Sequence, residues 1–144
     1  MIIVQKSKVV PYSCAQMFDL VNDVAHYCEF LPYCSHSVVH FHNENEARAT
    51  LTITAAGFSK SFTTHNNLQT NKMIEIRLVD GPFEHLEGFW RFDAEKDGCQ
   101  ISFDLEFEFS GNLLAKIVGP VFEQISHTMV DSFCERAESI YVKS

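Results

Sequence analysis

The feature that most constrains the fold is a change of hydrophobic period along the chain. Between Cys34 and Phe109 apolar side chains recur at every second position, whereas beyond Gly119 they recur every three or four residues. A period of two is typical of strands with one buried face, and a period near 3.6 is typical of an amphipathic helix. The pattern predicts about six strands in this stretch, followed by one helix of about 20 residues.

The strands are predicted to form an antiparallel meander. The clearest alternation runs from Ile101 to Phe109, and Ala47–Ala55 and Lys72–Asp80 alternate in the same way. Strands joined by short turns pair with their neighbours in sequence. Turn residues stand at Ala56-Gly57, Asn66–Asn71, Asp80-Gly81-Pro82 and Lys96-Asp97-Gly98.

The N-terminal part predicts one more strand and two short helices. Ile2–Val10 alternates loosely and is predicted to be a strand, which Pro11 ends. Ser13 and Gln16 have the spacing of a capping box, which marks the start of the first helix. A second helix is predicted from an Asp23 cap to Pro32.

The C-terminal helix is expected to cover the concave side of a curved sheet, giving one α+β domain over residues 1–144. The apolar stripe of this helix consists of Phe122, Ile125, Met129, Phe133, Ala137 and Ile140. Gly119-Pro120 interrupts or restarts the helix, and Ser110 is a candidate cap before it. We hypothesise that the preceding segment, Leu113–Val118, moves as a lid over a pocket.

Composition narrows the possible partners. The net charge is −8 and the pI is about 5.2, so the chain lacks the basic surface of a general nucleic-acid binder, and no direct DNA binding is expected. Five cysteines without a paired spacing predict reduced thiols in a cytoplasmic protein. No signal peptide or membrane span is expected, which leaves only peripheral contact with a membrane.

The inward-facing apolar residues have two interpretations. They either fill a core or line a cavity between the sheet and the C-terminal helix, and periodicity does not separate the two. Small inward residues, Ala49, Ala55 and Gly88, would leave space for a cavity. The candidate ligand-binding residues are Phe30, Leu31, Phe62, Leu78, Trp90, Phe107, Ile125 and Met129.

Catalytic and metal sites are not expected. His36, His40 and His42 are predicted to share one strand face, but no further ligands accompany them. Glu106 and Glu108 are predicted to point away from the apolar row, into solvent, which is a poor setting for a general acid.

Arg136 is left with two interpretations. On the last helix it either contacts a ligand head group or partner, or forms a surface ion pair with Asp131 or Glu135.

Several separate blocks of the chain form a distinctive pattern. They are Phe18-Asp19-Leu20-Val21-Asn22-Asp23-Val24 with Tyr27, Phe30-Leu31-Pro32, Asp80-Gly81-Pro82-Phe83, Leu86-Glu87-Gly88-x-Trp90-x-Phe92, Phe107-Glu108-Phe109, and Phe122 with Met129-Val130-Asp131-x-Phe133-x-x-Arg136-Ala137. Together they resemble the coenzyme-Q-binding, START-like proteins of the polyketide cyclase/dehydrase superfamily. The resemblance covers nearly the whole chain, although Tyr33 stands where a Trp is expected after Phe30-Leu31-Pro32.

The resemblance implies a helix-grip fold and leaves three functions open. Mitochondrial members of the family bind ubiquinone and support respiration, so a quinone or related lipid is the first expected ligand, with no cofactor required. A bacterial member is a ribosome association toxin that acts on the large ribosomal subunit and blocks 70S formation. A cyclase or dehydratase acting in the same pocket ranks last, because the residues supply no acid–base pair.

Overall fold

The fold consists of one curved sheet and a long C-terminal helix, so the predicted α+β, helix-grip arrangement is confirmed. The computed structural model describes residues 1–55 and 57–141, and within these ranges it has seven strands, all antiparallel, in the order β1-β7-β6-β5-β4-β3-β2. The strands are β1 (Ile2–Val10), β2 (Cys34–His42), β3 (Glu46–Ala55), β4 (Phe58–Gln69), β5 (Met73–Asp80), β6 (Phe83–Glu95) and β7 (Gly98–Phe109). Ala56, half of one predicted turn, lies outside the described residues.

The helices lie at the two ends of the chain. They are α1 (Cys14–Asn22), the 3-10 helix η1 (Val24–Glu29), α2 (Asn112–Ile117) and α3 (Gly119–Tyr141). The stripe predicted for the last helix is buried at Phe122, Ile125, Phe133 and Ala137. Helix α3 packs mainly on β1 and β7, with α1 and α2 beside it.

The predicted capping box at the start of α1 is confirmed. Ser13 Oγ accepts a hydrogen bond from the Gln16 amide at 3.1 Å, and Gln16 Oε1 accepts one from the Ser13 amide at 2.9 Å. The predicted second helix is a 3-10 turn, and Asp23 does not cap it through its side chain. Its carboxylate instead contacts His26 Nδ1 at 2.8 Å.

The interruption before α3 is a restart of the helix. Pro120 occupies the first turn of α3, where a missing backbone N–H breaks no helical hydrogen bond. The expected Ser110 cap is wrong, because Gly111 stands at the start of α2 with φ +90°, a conformation that favours glycine.

Candidate functional site

A cavity lies between the inner face of the sheet, helix α3 and the segment that carries η1. It measures about 80 Å³, and about 830 Å³ of atom-free space when its open mouth is included. Its lining is mostly aliphatic and aromatic: Val21, Val24, Tyr27, Leu31, Pro32, Cys34, Ala49, Leu51, Ile53, Phe62, Thr64, Asn66, Ile74, Ile76, Leu86, Trp90, Phe103, Leu105, Phe122, Ile125, Ser126 and Met129.

The cavity exists because the helix follows only one side of the sheet. Helix α3 packs along β1 and β7, while the lining residues of β3, β4 and β5 belong to strands with which it makes little contact. A twisted sheet diverges from a straight helix laid across it, so space opens toward β3–β5. Of the small residues expected to leave space, Ala49 lines the cavity, whereas Ala55 and Gly88 do not.

Glycine is required at position 88 for a reason other than leaving space for a ligand. A Cβ atom at this position would lie 2.2 Å from the backbone oxygen of Asp104 on the neighbouring strand. The glycine is therefore required by the close approach of β6 and β7, and the inference that it leaves room for a ligand is wrong.

The structure brings five of the eight candidate ligand-binding residues to the cavity wall. These are Leu31, Phe62, Trp90, Ile125 and Met129. Trp90 is 2% exposed, its ring centroid lies 4.4 Å from that of Phe103, and it is the only tryptophan in the sequence. That these residues bind a ligand remains a prediction.

The other three candidates lie outside the lining. Phe107 is fully buried in an aromatic cluster with Phe83 and Phe122, with ring centroids 6.2 Å and 4.8 Å from its own. Phe30 packs edge-on against Phe133, and Leu78 is a partly buried residue of β5 next to the core. The alternation of β7 indicated the burial of Phe107 correctly, but this residue is packed in the core, and Phe30 and Leu78 are only partly buried.

The cavity has a small number of polar groups, and one of them lacks a partner. Ser126 donates its hydroxyl hydrogen to the Phe122 carbonyl at 2.9 Å, and Tyr27 donates to the Val21 carbonyl. Among the described residues of the lining, the Oδ1 atom of Asn66 is buried without a hydrogen-bond partner. A buried amide oxygen without a partner is unfavourable, so a ligand group that donates a hydrogen bond there would relieve it.

The sequence did not predict Asn66 or Thr64 as site residues. The sequence predicted a strand over Phe58–Leu68 and an overlapping turn over Asn66–Asn71. The strand is the correct assignment for Asn66, because β4 continues to Gln69. The signal that could have found them is the period of two itself, since Phe62, Thr64, Asn66 and Leu68 share one face even though two of them are polar.

Charge is absent from the cavity lining within residues 1–55 and 57–141. No Asp, Glu, Lys, Arg or His side chain contributes to it. Burial raises the pKa of the Tyr27 hydroxyl and raises that of the Cys34 thiol to about 11, so both are neutral at pH 7. The cavity therefore suits an uncharged ligand and offers no acid–base pair.

The acidic residues of β6 and β7 lie on the outer face, as predicted for Glu106. His85 Nε2 lies 3.3 Å from a Glu106 oxygen and 3.7 Å from a Glu87 oxygen. In the described part of the chain these three side chains form the one cluster with the composition and spacing of metal ligands. All three are partly exposed and the two carboxylates flank a histidine, an arrangement equally typical of a surface ion pair.

The three strand histidines do not share a face, so that prediction is wrong. A register shift between Val39 and Phe41 places His42 opposite Ala47, on the inner face, where Asn22 contacts it at 3.1 Å. His40 remains outside and contacts Thr50 Oγ1 at 2.6 Å. A β-bulge reverses the face on which every later residue of the strand lies, and no residue pattern in this strand predicted it.

Arg136 links α3 to η1. Its guanidinium lies 3.0 Å from a Glu29 carboxylate oxygen and 5.0 Å from the centre of the Phe30 ring. The expected local pair with Asp131 or Glu135 is therefore wrong. The pair holds the segment that leads into Leu31, on the cavity wall, against the helix.

Comparison with known proteins gives the family. Residues 10–134 match the family described as polyketide cyclase/dehydrase and lipid transport. The chain belongs to this family. The resemblance inferred from the sequence blocks is thereby confirmed. The relatives of this chain are named either as toxins or as coenzyme Q-binding proteins.

Relatives of the first kind are named as toxins. A ribosome association toxin, RatA, of Pseudomonas aeruginosa is 45% identical over 139 residues, which cover 96% of each chain. The second kind is represented by a mitochondrial coenzyme Q-binding protein, COQ10 homolog B, of Xenopus laevis. It is 30% identical over 94% of this chain, which spans 58% of that protein.

Solved structures of other proteins have the same fold. An aromatase/cyclase, Zhui, of Streptomyces sp. R1128 superimposes with a TM-score of 0.83 at 16% identity, over 99% of this chain and 96% of the other. An 18 kDa protein of Caulobacter crescentus superimposes with a TM-score of 0.76 at 25% identity, over 99% of this chain and all of the other. In the described residues, no helix has the length and apolar character needed to cross a membrane.

Proposed function

We propose that this protein binds an uncharged lipid with a polar head, of the isoprenoid quinone class, in the cavity between the sheet and α3. The observation that carries the proposal is the buried, partnerless amide oxygen of Asn66 in an otherwise apolar wall. Ubiquinone or a related quinone, with its quinol form, is the ligand that we assign. No further cofactor is needed for binding.

The two parts of such a ligand fit two parts of the wall. An isoprenoid chain gains free energy from contact with apolar side chains such as Ile76, Ile125 and Met129. The Asn66 amide can accept a hydrogen bond from a quinol hydroxyl through Oδ1, or donate one to a quinone oxygen through Nδ2. A ligand with both a polar ring and an apolar tail uses both features.

The cavity has to widen to admit such a ligand. Its 80 Å³ is well below the roughly 300–1,000 Å³ of typical ligand pockets. Helix α2 does not line the cavity, so the hypothesis that Leu113–Val118 acts as its lid loses its geometric basis. We assign the opening instead to Met129 of α3 and Leu31-Pro32, which belong to the lining of the cavity.

The quinone proposal is tested through Trp90, the intrinsic probe in the wall. Titration with a short-chain ubiquinone is expected to quench its fluorescence in a saturable way. Asn66→Leu should weaken binding roughly tenfold, because it removes the hydrogen bond to the head group. Asn67→Leu is the matched control, since Asn67 lies on the outer face and should bind like the wild type.

Two results would overturn the proposal. One is linear, non-saturable quenching together with no lipid in an organic extract of protein purified from its native host. The other is equal loss of affinity in Asn66→Leu and Asn67→Leu, which would mean that the effect does not come from the cavity.

Association with the large ribosomal subunit, with inhibition of 70S formation, is the second candidate function. A specific observation favours it: the relative named ribosome association toxin is 45% identical over almost the full length of both chains. The charge of −8 works against contact with RNA, and Arg77, Arg91 and Arg136 are each paired with a carboxylate. This role would place the protein in the cytoplasm.

Sedimentation separates the two candidates. If the ribosomal role holds, the protein will move with isolated large subunits through a sucrose gradient at low salt and lower the yield of 70S particles. Protein that stays at the top of the gradient at low salt refutes it. Asn66→Leu should still sediment with the subunit, because the substituted residue faces the cavity; a loss would mean that ligand binding controls ribosome association.

A further inference from the structure

Two cysteines that lie far apart in sequence meet where β1, α1 and β7 come together. Cys14 Sγ and Cys99 Sγ are 2.9 Å apart, although the two residues are 85 positions apart in the sequence. Cys99 opposes Val10 across β1 and β7, and residues 11–13 then turn the chain so that Cys14, the first residue of α1, lies over it. Cys99 is fully buried, whereas Cys14 is partly exposed.

The close approach is built into the backbone. A Cβ atom at Gly98 would lie 1.9 Å from the Val10 carbonyl oxygen, so only glycine lets the start of β7 come this near to the end of β1. The sulfur atoms need to approach by about 0.9 Å to reach the bond length of a disulfide, about 2.05 Å. Small rotations of the two side chains supply a movement of this size.

We propose that Cys14 and Cys99 form a reversible disulfide when the protein meets a low-molecular-weight disulfide such as oxidised glutathione. This is a modification site, independent of the cavity and of the proposed ligand. The thiols are reduced at rest, as expected for a cytoplasmic protein.

The reaction proceeds in two exchanges. The Cys14 thiolate, the accessible one, attacks one sulfur of the reagent and expels the first small thiolate, leaving a mixed disulfide on Cys14. The Cys99 thiolate then attacks Cys14 Sγ and expels the second. Two electrons pass from the protein to the reagent, and the two thiol protons end on the two released thiols.

The second exchange is the slow one. Burial, and after it the contact with Cys14, raises the pKa of the Cys99 thiol, so little thiolate is present at neutral pH. Burial persists when Cys14 carries the mixed disulfide, so ring closure should accelerate as the pH is raised. A mixed disulfide on Cys14 should be detectable first at neutral pH.

Intact-mass spectrometry with oxidised glutathione tests the proposal on the full chain. The test uses the Cys28→Ser background, because the exposed Cys28 thiol would itself take up glutathione. In this background the protein should first gain one glutathione and then become about 2 Da lighter than the reduced protein, with a Cys14–Cys99 peptide after digestion. Because the bond closes a long loop, the oxidised protein should unfold at a temperature higher by roughly 10 °C.

Two variants and the wild type provide the controls. Cys14→Ser should give no lighter species and no rise in unfolding temperature. In the Cys28→Ser background, Cys99→Ser should stop at the glutathione adduct, whereas the wild type should form the same Cys14–Cys99 bond and carry an additional glutathione on Cys28. Persistence of the lighter species in Cys14→Ser, or an adduct on Cys14 without ring closure at high pH in the Cys28→Ser background, would overturn the proposal. Cys14 is partly exposed, so its variant should fold.

Discussion

Filling the cavity should make the protein more stable and unable to bind its ligand. Empty space in a core is unfavourable by about 24 cal/mol per Å³. The 80 Å³ cavity therefore corresponds to about 2 kcal/mol of stability that the protein forgoes. Ala49→Leu places additional carbon atoms into this space from the wall of β3, and we expect stabilisation of up to about 2 kcal/mol, or up to about 8 °C in Tm.

The matched control is the same substitution two residues earlier. Ala47 is on the same face of β3 and is 3% exposed, but it does not line the cavity. Ala47→Leu overpacks a filled region and should destabilise by about 1–3 kcal/mol while ligand binding is retained. The two variants are thus expected to change stability in opposite directions.

The assays are urea unfolding, followed through Trp90 fluorescence, and the quinone titration. Ala49→Leu should shift the urea midpoint upward and abolish saturable quenching at concentrations where the wild type is saturated. If it is destabilised as much as Ala47→Leu and still binds quinone, the space beside Ala49 is not the ligand site and the reasoning fails.

Three further predictions concern η1. Tyr27→Phe leaves the Val21 carbonyl unpaired and should lower stability by about 1–2 kcal/mol in urea unfolding; no change would mean that water replaces the hydroxyl. Glu29→Gln should lower stability by about 0.5 kcal/mol or less, since the pair with Arg136 is half exposed, and a double-mutant cycle with Arg136→Leu should show coupling of similar size. The hydrogen bond that the protonated His26 ring donates to Asp23, then the charges of Asp23 and Glu29, raise the pKa of His26 above 6.5. The stabilising effect of His26 is therefore complete below about pH 6.5 and is lost as the pH rises through the raised pKa. His26→Gln should thus lower the urea midpoint at about pH 5.5 but not at about pH 9, and an equal loss at both would refute the assignment.

The sequence by itself determined the elements and their buried faces. The strand Ile101–Phe109, the capping box of Ser13 with Gln16, and the restart at Gly119-Pro120 are all local patterns, and each is found in the structure. Local patterns are reliable here because backbone geometry fixes which side chains share a face. The family was also predicted from the sequence, because the blocks that carry the resemblance contain buried residues of these elements.

Tertiary structure alone decided which buried residues surround empty space. Trp90 and Phe107 have the same periodicity and nearly the same burial, yet only Trp90 lines the cavity. A cavity is a lack of contact between two elements, and it depends on how far the curved sheet diverges from α3. The same holds for the Cys14–Cys99 contact and the pair of Arg136 with Glu29, because residues 85 and 107 positions apart are brought together by packing, which no local period records.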